Sequence, residues 1–340
     1  MDIKTAIAQL SKKQDLTADE MTFLMRGIMT GEMTDAQIAA FLVSLQLKGV
    51  CAQELLGAAK VMRELATAVQ IEDKTHLVDT CGTGGTGTNT FNISTASAMV
   101  VACAGARVAK HGNRGATSKS GSADLLEAAG VKLALTPEQV ASCINNVGVG
   151  FMFAPGHHSA MKHVIGARKE IGIPTIFNLL GPLTNPAGAP NQVLGVNNAQ
   201  WIEPMLKVLV SLGSQHVLIV AADDGLDEIS VSSATQVGEL RDGKLTRYTL
   251  APEDFGLERR EGFAMLQVES AQESLALVRK ALTYEDAACG DIVALNAGAA
   301  IYAANVEPSI ALGVQRAQEI LRSGAALKKL AELAQYSESI

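Results

Sequence analysis

Hydrophobic and polar positions in the first 70 residues follow the period of an α-helix. Residues 3–10 place two isoleucines and a leucine on one face. Residues 17–20 and 34–37 are capping-box sequences that begin with Thr, and an apolar pattern at helical spacing follows each of them. A fourth helix is predicted at about residues 54–66. These short helices predict a small bundle that needs a partner surface, which is either a second domain or another subunit.

From about residue 75 the pattern changes to alternating strand, loop and helix. A buried strand is predicted at 76–80, directly before a glycine-rich loop, and a helix at 92–104. The other predicted strands lie at 106–109, 150–153, 173–178 and 217–221, and the other predicted helices lie at 122–129 and from Thr136 onward. Residues 235–270 are polar and predict a β-hairpin that protrudes from the alternating strands and helices. The pattern predicts an α/β fold in which a small helical domain (residues 1–70) precedes a larger α/β domain (residues 71–340) with a mainly parallel central sheet.

The composition fits such a fold and narrows the classes of function. Of the 340 residues, 48% are hydrophobic, only 4% are aromatic and 31 are glycine, so we expect a core of Ala, Val, Leu and Ile. The formal net charge of -7 argues against a general binder of nucleic acids or anionic membranes. Five scattered cysteines without a CxxC pair indicate reduced thiols, and the sequence has no signal-peptide core and no membrane-spanning apolar run. We therefore expect a soluble, cytoplasmic protein.

One stretch departs from the acidic balance of the chain. Residues 80–123 contain no Asp or Glu, and their cations are Arg107, Lys110, Arg114 and Lys119. The glycine-rich loop at 82–87 lets the backbone approach an anion, and the hydroxyl and amide side chains at 88–95 can donate to phosphate oxygens. A second loop adds the hydroxyls of Thr117, Ser118, Ser120 and Ser122. Because loops at the carboxyl ends of adjacent strands face one crevice, this stretch predicts a positively charged receptor for a highly phosphorylated small molecule.

Other interpretations of the same residues are weaker. Residues 82–87 satisfy the G-x-G-x-x-G pattern of dinucleotide sites, but such sites also need an acidic residue roughly 20 positions later, and none is present. A glycine turn without a ligand leaves the second cationic loop unexplained. His157, His158 and His163 suggest zinc, yet no cysteine or further ligand spacing supports a zinc site. A dehydrogenase, a plain turn and a zinc protein are all disfavoured.

Two adjacent carboxylates follow the strand predicted at 217–221. Asp227 and Glu228 offer oxygen ligands suited to Mg²⁺, which commonly bridges to substrate phosphates. Together with Asp223 and Asp224 they could instead form a solvated acidic loop, which is the commoner case for such a run. The residues alone leave both interpretations open.

Seven segments in the same order resemble the anthranilate phosphoribosyltransferase family of tryptophan biosynthesis, over essentially the full length of the chain. They are GTGG at 82–85, NIST at 92–95, KHGNR at 110–114, SKSGSADLLEAAG at 118–130, HH at 157–158, GIPTIFNLLGPLTNPAG at 172–188 and GLDEIS at 225–230. The resemblance implies a helical and a larger α/β domain, as in pyrimidine nucleoside phosphorylases. It also implies a homodimer formed through the helical domain, which later helices near residues 160–190 can join.

The resemblance implies roles for individual residues. Those implied to hold phosphoribosyl pyrophosphate are Gly82, Gly85, Thr86, Thr90, Asn92, Ser94, Thr95, Lys110, Ser118 and Ser122. Those implied to hold Mg²⁺ are Ser94, Asp227 and Glu228. Those implied to contact anthranilate are Gly82, Asn113 and Arg168, while His111, His158 and Gly181 are expected to line its pocket. Asp223 and Asp224 keep the solvated interpretation. The family usually continues GTGG with Asp, and Thr86 removes that charge, which can change the affinity or number of metal ions.

The reaction implied by the resemblance is transfer of a ribosyl 5-phosphate group to the amine of anthranilate, with release of pyrophosphate. Displacement at such a sugar carbon has oxocarbenium-like character, and no nucleophilic triad or isolated reactive cysteine stands out, so we expect no covalent intermediate. Lys110 and Arg168 are the expected catalytic residues, the first toward pyrophosphate and the second toward the substrate carboxylate. The alternatives are a pyrimidine nucleoside phosphorylase and a non-enzymatic paralogue that binds nucleic acid. Neither nucleic acid nor membrane is an expected partner.

Overall fold

The computed structural model describes residues 1–115 and 118–340, and it begins with a bundle of helices. The first helices are α1 (Ile3–Ser11), α2 (Ala18–Met29), α3 (Asp35–Lys48) and α4 (Ala52–Glu64). Both predicted capping boxes are present. Thr17 and Thr34 accept the N–H groups three residues later, and the side chains of Glu20 and Gln37 accept the threonine N–H groups in return. The predicted helical start of the chain is confirmed.

Strands and helices alternate in the rest of the chain. The strands are β1 (Leu77–Gly82), β2 (Arg107–Gly112), β3 (Val149–Phe153), β4 (Asn191–Gly195), β5 (His216–Ala222), β6 (Thr235–Arg241) and β7 (Lys244–Leu250). The helices are α5 (Ile93–Cys103), α6 (Ser122–Ala128), α7 (Pro137–Val147), α8 (Ala154–His157), α9 (Lys162–Ile171), α10 (Phe177–Leu180), α11 (Ile202–Ser211), α12 (Ala271–Leu282), α13 (Ala287–Ala303), α14 (Ile310–Arg322) and α15 (Ala325–Ser339). The predicted α/β class is confirmed.

The strands of the described residues form one sheet in the order β3-β2-β1-β4-β5-β6-β7. The strands β1 to β5 run parallel to one another, whereas β6 pairs antiparallel with both β5 and β7. This confirms the mainly parallel sheet. The carboxyl ends of the parallel strands, at Gly82, Gly112, Phe153, Gly195 and Ala222, form what we call the carboxyl edge. Ligands of such sheets bind at this edge, so the loops that follow these strands decide the chemistry.

The strand predicted at residues 173–178 is wrong. Pro174 has no N–H for a ladder, and the next residues close a turn instead. The Thr175 N–H donates to Asn178 Oδ1 and the Asn178 N–H donates to the Thr175 carbonyl oxygen, each at 2.9 Å. This turn leads into α10. Local side-chain to backbone hydrogen bonds therefore outweigh the apolar run.

Two other features of the sheet differ from the sequence prediction. The strand β4 was not predicted, because its first two residues, Asn191 and Gln192, are polar. The predicted hairpin excursion at 235–270 is in part wrong. Its first half, β6 and β7, extends the main sheet, since β6 pairs with β5 along seven residues. Only residues 251–270 leave the sheet.

The N-terminal helices pack on the α/β domain through a continuous apolar cluster. Its members outside α1–α4 include Val164 and Ala167 of α9, Phe177 and Leu180 of α10, and Met205 of α11. Helices from the region 160–190 thus pack with the N-terminal bundle. The exact domain boundary at residue 70 stays a prediction.

None of the helices in residues 1–115 and 118–340 combines the length and apolar character needed to cross a bilayer.

Candidate functional site

Three loops meet at the carboxyl edge. The first loop (83–91) follows β1, the second loop (113–121) follows β2, and the acidic loop (223–234) follows β5. In the sheet β1 lies between β2 and β4, and β5 is next to β4. The topology therefore brings together loops that are far apart in the chain. The residues implied by the resemblance lie on these loops or on the strands and helices that adjoin them, apart from His158, Arg168 and Gly181.

Asp227 joins the acidic loop to the first loop. Its carboxylate accepts the N–H of Gly84 at 2.9 Å. A β-carbon built on Gly82 would lie 2.4 Å from Asp227 Oδ2, and one built on Gly195 would lie 1.7 Å from the Asp227 carbonyl oxygen. Both separations are far below contact distance, so only glycine fits at these two strand ends. The predicted metal residue and the predicted phosphate loop are thus in direct contact.

Lys110 lies beneath these loops and is almost completely buried. Its ammonium donates to the Thr80 carbonyl oxygen and to Ser94 Oγ, the second at 3.2 Å. Burial lowers the pKa of Lys110, and the negative charges of Asp79 and Glu228 oppose that shift. A cation held in this way, with little water around it, interacts strongly with an anion that enters the crevice.

The acidic pair is half-buried. Burial raises the pKa of Asp227, and the Gly84 N–H opposes the shift. Burial and the charge of Asp227 raise the pKa of Glu228 to about 8, against the opposing effects of Lys110 and the Ser94 N–H. A divalent cation would stabilise both ionised carboxylates. Ser94 adds a hydroxyl oxygen on the same side, so all three predicted metal residues lie close together.

The positive charge expected for residues 80–123 is largely compensated in the structure. Three of the four cations are paired with acids outside that stretch: Arg107 with Asp73, Arg114 with Asp124 and Glu127, and Lys119 with Glu269. The ion pairs of Arg114 and Lys119 are on the surface, with side-chain exposures of 47% and 51% for the two cations. Lys110 is the exception, because its ammonium donates to neutral oxygens. Most of the predicted positive charge is therefore paired, and Lys110 is the one cation of this stretch that forms no ion pair among the described residues.

Asn92 ties the first and second loops to α12. Its Oδ1 accepts the hydroxyls of Ser120 and Ser274, each at 2.7 Å, and its Nδ2 donates to the Ser120 carbonyl oxygen at 3.1 Å. Its backbone N–H donates to Ser274 Oγ. The side chain is thus occupied within the protein. Its predicted contact with phosphoribosyl pyrophosphate stays a prediction, and its structural contribution is to hold two loops in register.

The first loop also forms hydrogen bonds with the segment 264–268, which precedes α12. The Phe91 N–H donates to the Leu266 carbonyl oxygen and the Val268 N–H donates to that of Asn89, each at 2.8 Å. Thr90 lies between these bonds, in an antiparallel bridge with Gln267. The segment 264–268 therefore fixes the far side of the loop. The exposed Gly85, which the resemblance places against phosphate, lies on the open side.

The remaining residues implied to bind phosphate have these contacts. Thr86 Oγ1 lies 2.8 Å from Thr88 Oγ1, and Ser118 Oγ donates to the Ser120 carbonyl oxygen at 3.3 Å. Ser122 Oγ donates to the Asn113 carbonyl oxygen at 3.3 Å. Thr95 Oγ1 is buried with no hydrogen-bond partner among the described residues. Thr117, predicted to add a hydroxyl, lies outside the described residues. A buried hydroxyl without a partner is costly, so Thr95 marks a place where a ligand oxygen would be favoured.

Next to the second loop lies a pair of uncharged histidines. The rings of His111, in β2, and His158, after α8, are 5.0 Å apart, and the Nε2 atoms of both are buried without a partner among the described residues. Burial lowers the pKa of His111 to about 3 and that of His158 to about 4. The Gly181 backbone, directly after α10, interacts with His111 and opposes its shift. The three predicted pocket residues therefore lie together.

Arg168 lies in α9, between His158 and Gly181 in the chain. Its guanidinium stacks over the Phe177 ring at 5.2 Å, and Phe177 begins the helix that ends just before Gly181. No carboxylate pairs with Arg168 in the described part of the chain. An unpaired guanidinium on an aromatic face can accept a planar carboxylate in a bidentate geometry. Asn113, the other residue implied to contact anthranilate, is exposed at the start of the second loop, and its Oδ1 accepts the Arg114 N–H.

Acidification is expected to destabilise the fold through the histidine pair. His111 and His158 stay neutral in the folded protein down to their lowered pKa values, about 3 and about 4. In the unfolded chain they take up protons near pH 6.5, so stability falls as the pH decreases below that value. Between about pH 7 and about pH 5 each histidine is expected to lower the free energy of unfolding by about 2 kcal/mol. Denaturant unfolding should therefore show a loss about 2 kcal/mol smaller for His158→Gln than for the wild type, and equal losses would contradict the assignment.

Several residues of the site were not found from the sequence. Asp79 is buried beside Lys110 and accepts the His111 N–H at 3.3 Å. Asp224, predicted to be solvated, instead accepts the hydroxyls of Ser230 and Ser232, each at 2.6 Å, and closes the acidic loop. Their partners are brought together by tertiary structure or by an unpredicted loop conformation. No local signal could have found them, except that an acid within a buried strand, as at Asp79, needs a partner.

Both parts of the chain match known protein families. Residues 74–327 match the glycosyl transferase family a/b domain, and residues 4–66 match the helical bundle domain of the glycosyl transferase family. The chain is 57% identical over 339 residues to the anthranilate phosphoribosyltransferase of Thioalkalivibrio sulfidiphilus, with 100% of each chain covered. It is 58% identical over 341 residues to that of Hahella chejuensis, covering 99% of this chain and 98% of the relative.

Solved structures agree over the same length. The crystal structure of anthranilate phosphoribosyltransferase from Thermus thermophilus is similar with a TM-score of 0.91 and 41% identity, covering 98% of this chain and 99% of that one. The anthranilate phosphoribosyltransferase from Saccharomyces cerevisiae in complex with PRPP and Mg is similar with a TM-score of 0.89 and 25% identity, covering 99% of this chain and 98% of that one. The similarity thus extends over both domains.

Proposed function

The chain belongs to the anthranilate phosphoribosyltransferase family, and from that membership we propose which of its residues bind each substrate and the metal. The chain transfers the 5-phosphoribosyl group of phosphoribosyl pyrophosphate to the amine of anthranilate, giving N-(5-phosphoribosyl)anthranilate and pyrophosphate, in tryptophan biosynthesis. The observation that carries the residue assignment is the contact of the acidic loop with the first loop, directly above Lys110. One crevice then serves the pyrophosphate, the metal and the sugar.

Phosphoribosyl pyrophosphate binds along the first loop and the start of α5. The backbone of Gly82–Gly85 and the hydroxyls of Thr90, Ser94 and Thr95 surround its phosphates, with Ser118 and Ser122 from the second loop. Support comes from the open backbone of Gly85 and from the unsatisfied hydroxyl of Thr95. Asn92 holds the two loops in register, and Lys110 supplies the buried charge.

Mg²⁺ fits the oxygen donors Ser94, Asp227 and Glu228. Hard divalent cations prefer carboxylate and hydroxyl oxygens. Both carboxylates are half-buried and have raised pKa values, so an added cation would stabilise their ionised form. When bound, the ion would neutralise negative charge on the pyrophosphate. Thr86 replaces the acid usual in the family, so this chain offers one fewer carboxylate beside the metal than the family pattern does.

Anthranilate binds between the histidine pair and Arg168. The unpaired guanidinium suits its carboxylate, and the neutral walls formed by His111, His158 and Gly181 suit its ring. Gly82 ends β1, and Asn113 directly follows β2, the neighbour of β1 in the sheet. The amine would then face the sugar carbon from which pyrophosphate departs.

The chain's own groups promote the reaction by positioning and by charge. The two pockets hold the amine and the sugar carbon side by side, which removes the entropy cost of bringing two substrates together. Lys110 and the N–H groups of the first loop stabilise the charge that builds on the departing pyrophosphate. The low pKa values of His111 and His158 keep these rings uncharged beside the pocket. A weakly basic aromatic amine reacts in its neutral form, so no strong base is required.

The reaction is tested by incubating the protein with Mg²⁺, phosphoribosyl pyrophosphate and anthranilate. We expect Mg²⁺-dependent loss of anthranilate fluorescence, with one pyrophosphate released for each anthranilate consumed. A pyrimidine nucleoside phosphorylase of the same architecture would instead cleave thymidine or uridine with phosphate. Brisk phosphorolysis without loss of anthranilate would contradict the function.

The assembly we infer is a homodimer in the cytoplasm, formed through the helical domain. Phe23 in α2, Leu47 in α3 and Ile165 in α9 are apolar side chains exposed by 60%, 77% and 54%. Exposed apolar side chains on α2, α3 and α9, which pack together, are what a face covered by a second copy would offer. The five cysteines are free thiols, which fits a reducing compartment.

A further inference from the structure

A buried asparagine contacts the backbone beside the metal residues. Asn296 lies in the middle of α13, a helix buried along nearly its whole length, and is itself only 3% exposed. Its Oδ1 accepts the Ile229 N–H at 2.8 Å, and its Nδ2 donates to the Ile229 carbonyl oxygen at 2.9 Å. Nδ2 also donates to the Ile292 carbonyl oxygen at 2.8 Å. Both side-chain donors and the acceptor are therefore used, and two of the three bonds go to a single residue.

The two hydrogen bonds to Ile229 satisfy its N–H and its carbonyl group, as the backbone of a neighbouring β-strand would. They fix the N–H and the carbonyl group of one residue at once, and that residue directly follows Glu228. The Ile229 side chain is 2% exposed, so packing restrains it as well. A loop backbone inside a protein needs such partners, because unpaired buried polar groups are costly. The amide of Asn296 supplies them from a helix 67 residues further along the chain.

The other side of Glu228 is fixed independently. The Asp227 backbone packs against Gly195, and the Asp227 side chain packs against Gly82. Further along the loop, Asp224 gathers the hydroxyls of Ser230 and Ser232. Glu228 is thus held between the contact of Asp227 with the strand ends and the bonds of Asn296. Without Asn296, the N–H and the carbonyl group of Ile229 lose these hydrogen bonds, and the packing of the Ile229 side chain is left to hold the residue that follows Glu228.

We propose that Asn296 is a positioning residue that holds Ile229 so that Glu228 and Asp227 meet the metal of phosphoribosyl pyrophosphate. It touches no reacting atom and acts through the backbone of the acidic loop. This inference rests on the proposed metal role of Asp227 and Glu228. Residues that orient metal ligands typically change metal affinity by about 10- to 100-fold when they are replaced.

The test replaces Asn296 with leucine, which has a similar volume and no hydrogen-bonding group. The matched control is Asn191→Leu. Asn191 is also a buried asparagine, 2% exposed, and donates its side-chain N–H to the Leu77 carbonyl oxygen at 3.0 Å, but it begins β4 at the opposite edge of the sheet. Both variants remove a buried asparagine amide that donates to a backbone carbonyl oxygen. They differ in distance from the acidic loop.

Two measurements separate positioning from stability. For Asn296→Leu we expect the Mg²⁺ concentration for half-maximal activity, and that for calorimetric binding of phosphoribosyl pyrophosphate, to rise about 10-fold or more. KM for anthranilate should stay within about twofold, because that pocket lies on other elements. Asn191→Leu should lower the melting temperature without either Mg²⁺ shift. Equal Mg²⁺ dependence in Asn296→Leu and the wild type would overturn the proposal.

A measurement on the wild type covers the case in which Asn296→Leu does not fold. Hydrogen exchange at the Ile229 amide should be as slow as in the buried core before any ligand is added, and Mg²⁺ with phosphoribosyl pyrophosphate should leave it slow. Exchange as fast as in an exposed loop would overturn the proposal. If the wild type binds phosphoribosyl pyrophosphate equally well with and without Mg²⁺, the metal site itself fails, which is a different result.

Discussion

Replacing Lys110 with methionine is expected to lower kcat/KM by roughly 10²–10³-fold, the usual effect of removing a charged or hydrogen-bonding group aimed at a developing negative charge. Lys110 is buried, and its ammonium lies between the Thr80 carbonyl oxygen and Ser94 Oγ at the base of the crevice. Methionine has nearly the same length and fills the space, but it carries no charge. Steady-state kinetics with both substrates measure the loss, and calorimetry should show weakened binding of phosphoribosyl pyrophosphate.

The control for this variant is Arg107→Met. Arg107 lies at the other end of β2, half-buried, in an ion pair with Asp73. Its replacement removes one positive charge from the same strand, so general loss of charge affects both variants equally. We expect Arg107→Met to keep kcat/KM within about threefold, because the ion pair is partly exposed to solvent and lies at the end of β2 away from the crevice. Similar losses in the two variants would show that Lys110 has no special role.

Replacing Asp227 with asparagine is expected to be nearly as severe and to act through the metal. Asparagine keeps the shape that fits against Gly82, and its carbonyl oxygen can still accept the Gly84 N–H. What it loses is the negative charge that a divalent cation needs. We expect the Mg²⁺ concentration for half-maximal activity to rise by about 10-fold or more and kcat to fall by about 10²-fold at moderate Mg²⁺. Activity measured across a Mg²⁺ titration gives both values.

Asp223→Asn provides the comparison for that titration. Asp223 belongs to the same loop but is exposed, and among the described residues its side chain accepts one long hydrogen bond, from Gln236 at 3.3 Å. Its replacement removes the same charge from the same loop. We expect an unchanged Mg²⁺ profile. If Asp223→Asn shifts the profile as much as Asp227→Asn, the loop acts through its overall charge, and Asp227 is not a ligand.

The sequence was sufficient for the elements whose signals are local. Capping boxes at Thr17 and Thr34 marked two helix starts, and a strand before a glycine loop marked the site. The parallel sheet then brought Gly82, Lys110 and Asp227 to one edge, because loops after parallel strands share that edge. The motifs of the family supplied the roles of residues that no pattern alone could assign.

The sequence failed where partners are distant or where local bonds compete with a pattern. The charge of residues 80–123 was overestimated, since the acids that pair with Arg114 and Lys119 lie outside that stretch. The strand at 173–178 was lost to a turn closed by Thr175 and Asn178. Asn296 gives no sign of its role within its own helix, because its partner Ile229 is 67 residues away. Hydrogen bonds and ion pairs that no periodic pattern encodes decided each of these features.

The most direct test of the account is a crystal structure of the protein with phosphoribosyl pyrophosphate and Mn²⁺, which accepts the same oxygen ligands as Mg²⁺ and scatters anomalously. The account predicts an anomalous peak against Asp227 and Glu228. It also predicts density for the pyrophosphate over the first loop, within reach of Lys110. A metal peak or a substrate bound elsewhere, with this crevice empty, would contradict it.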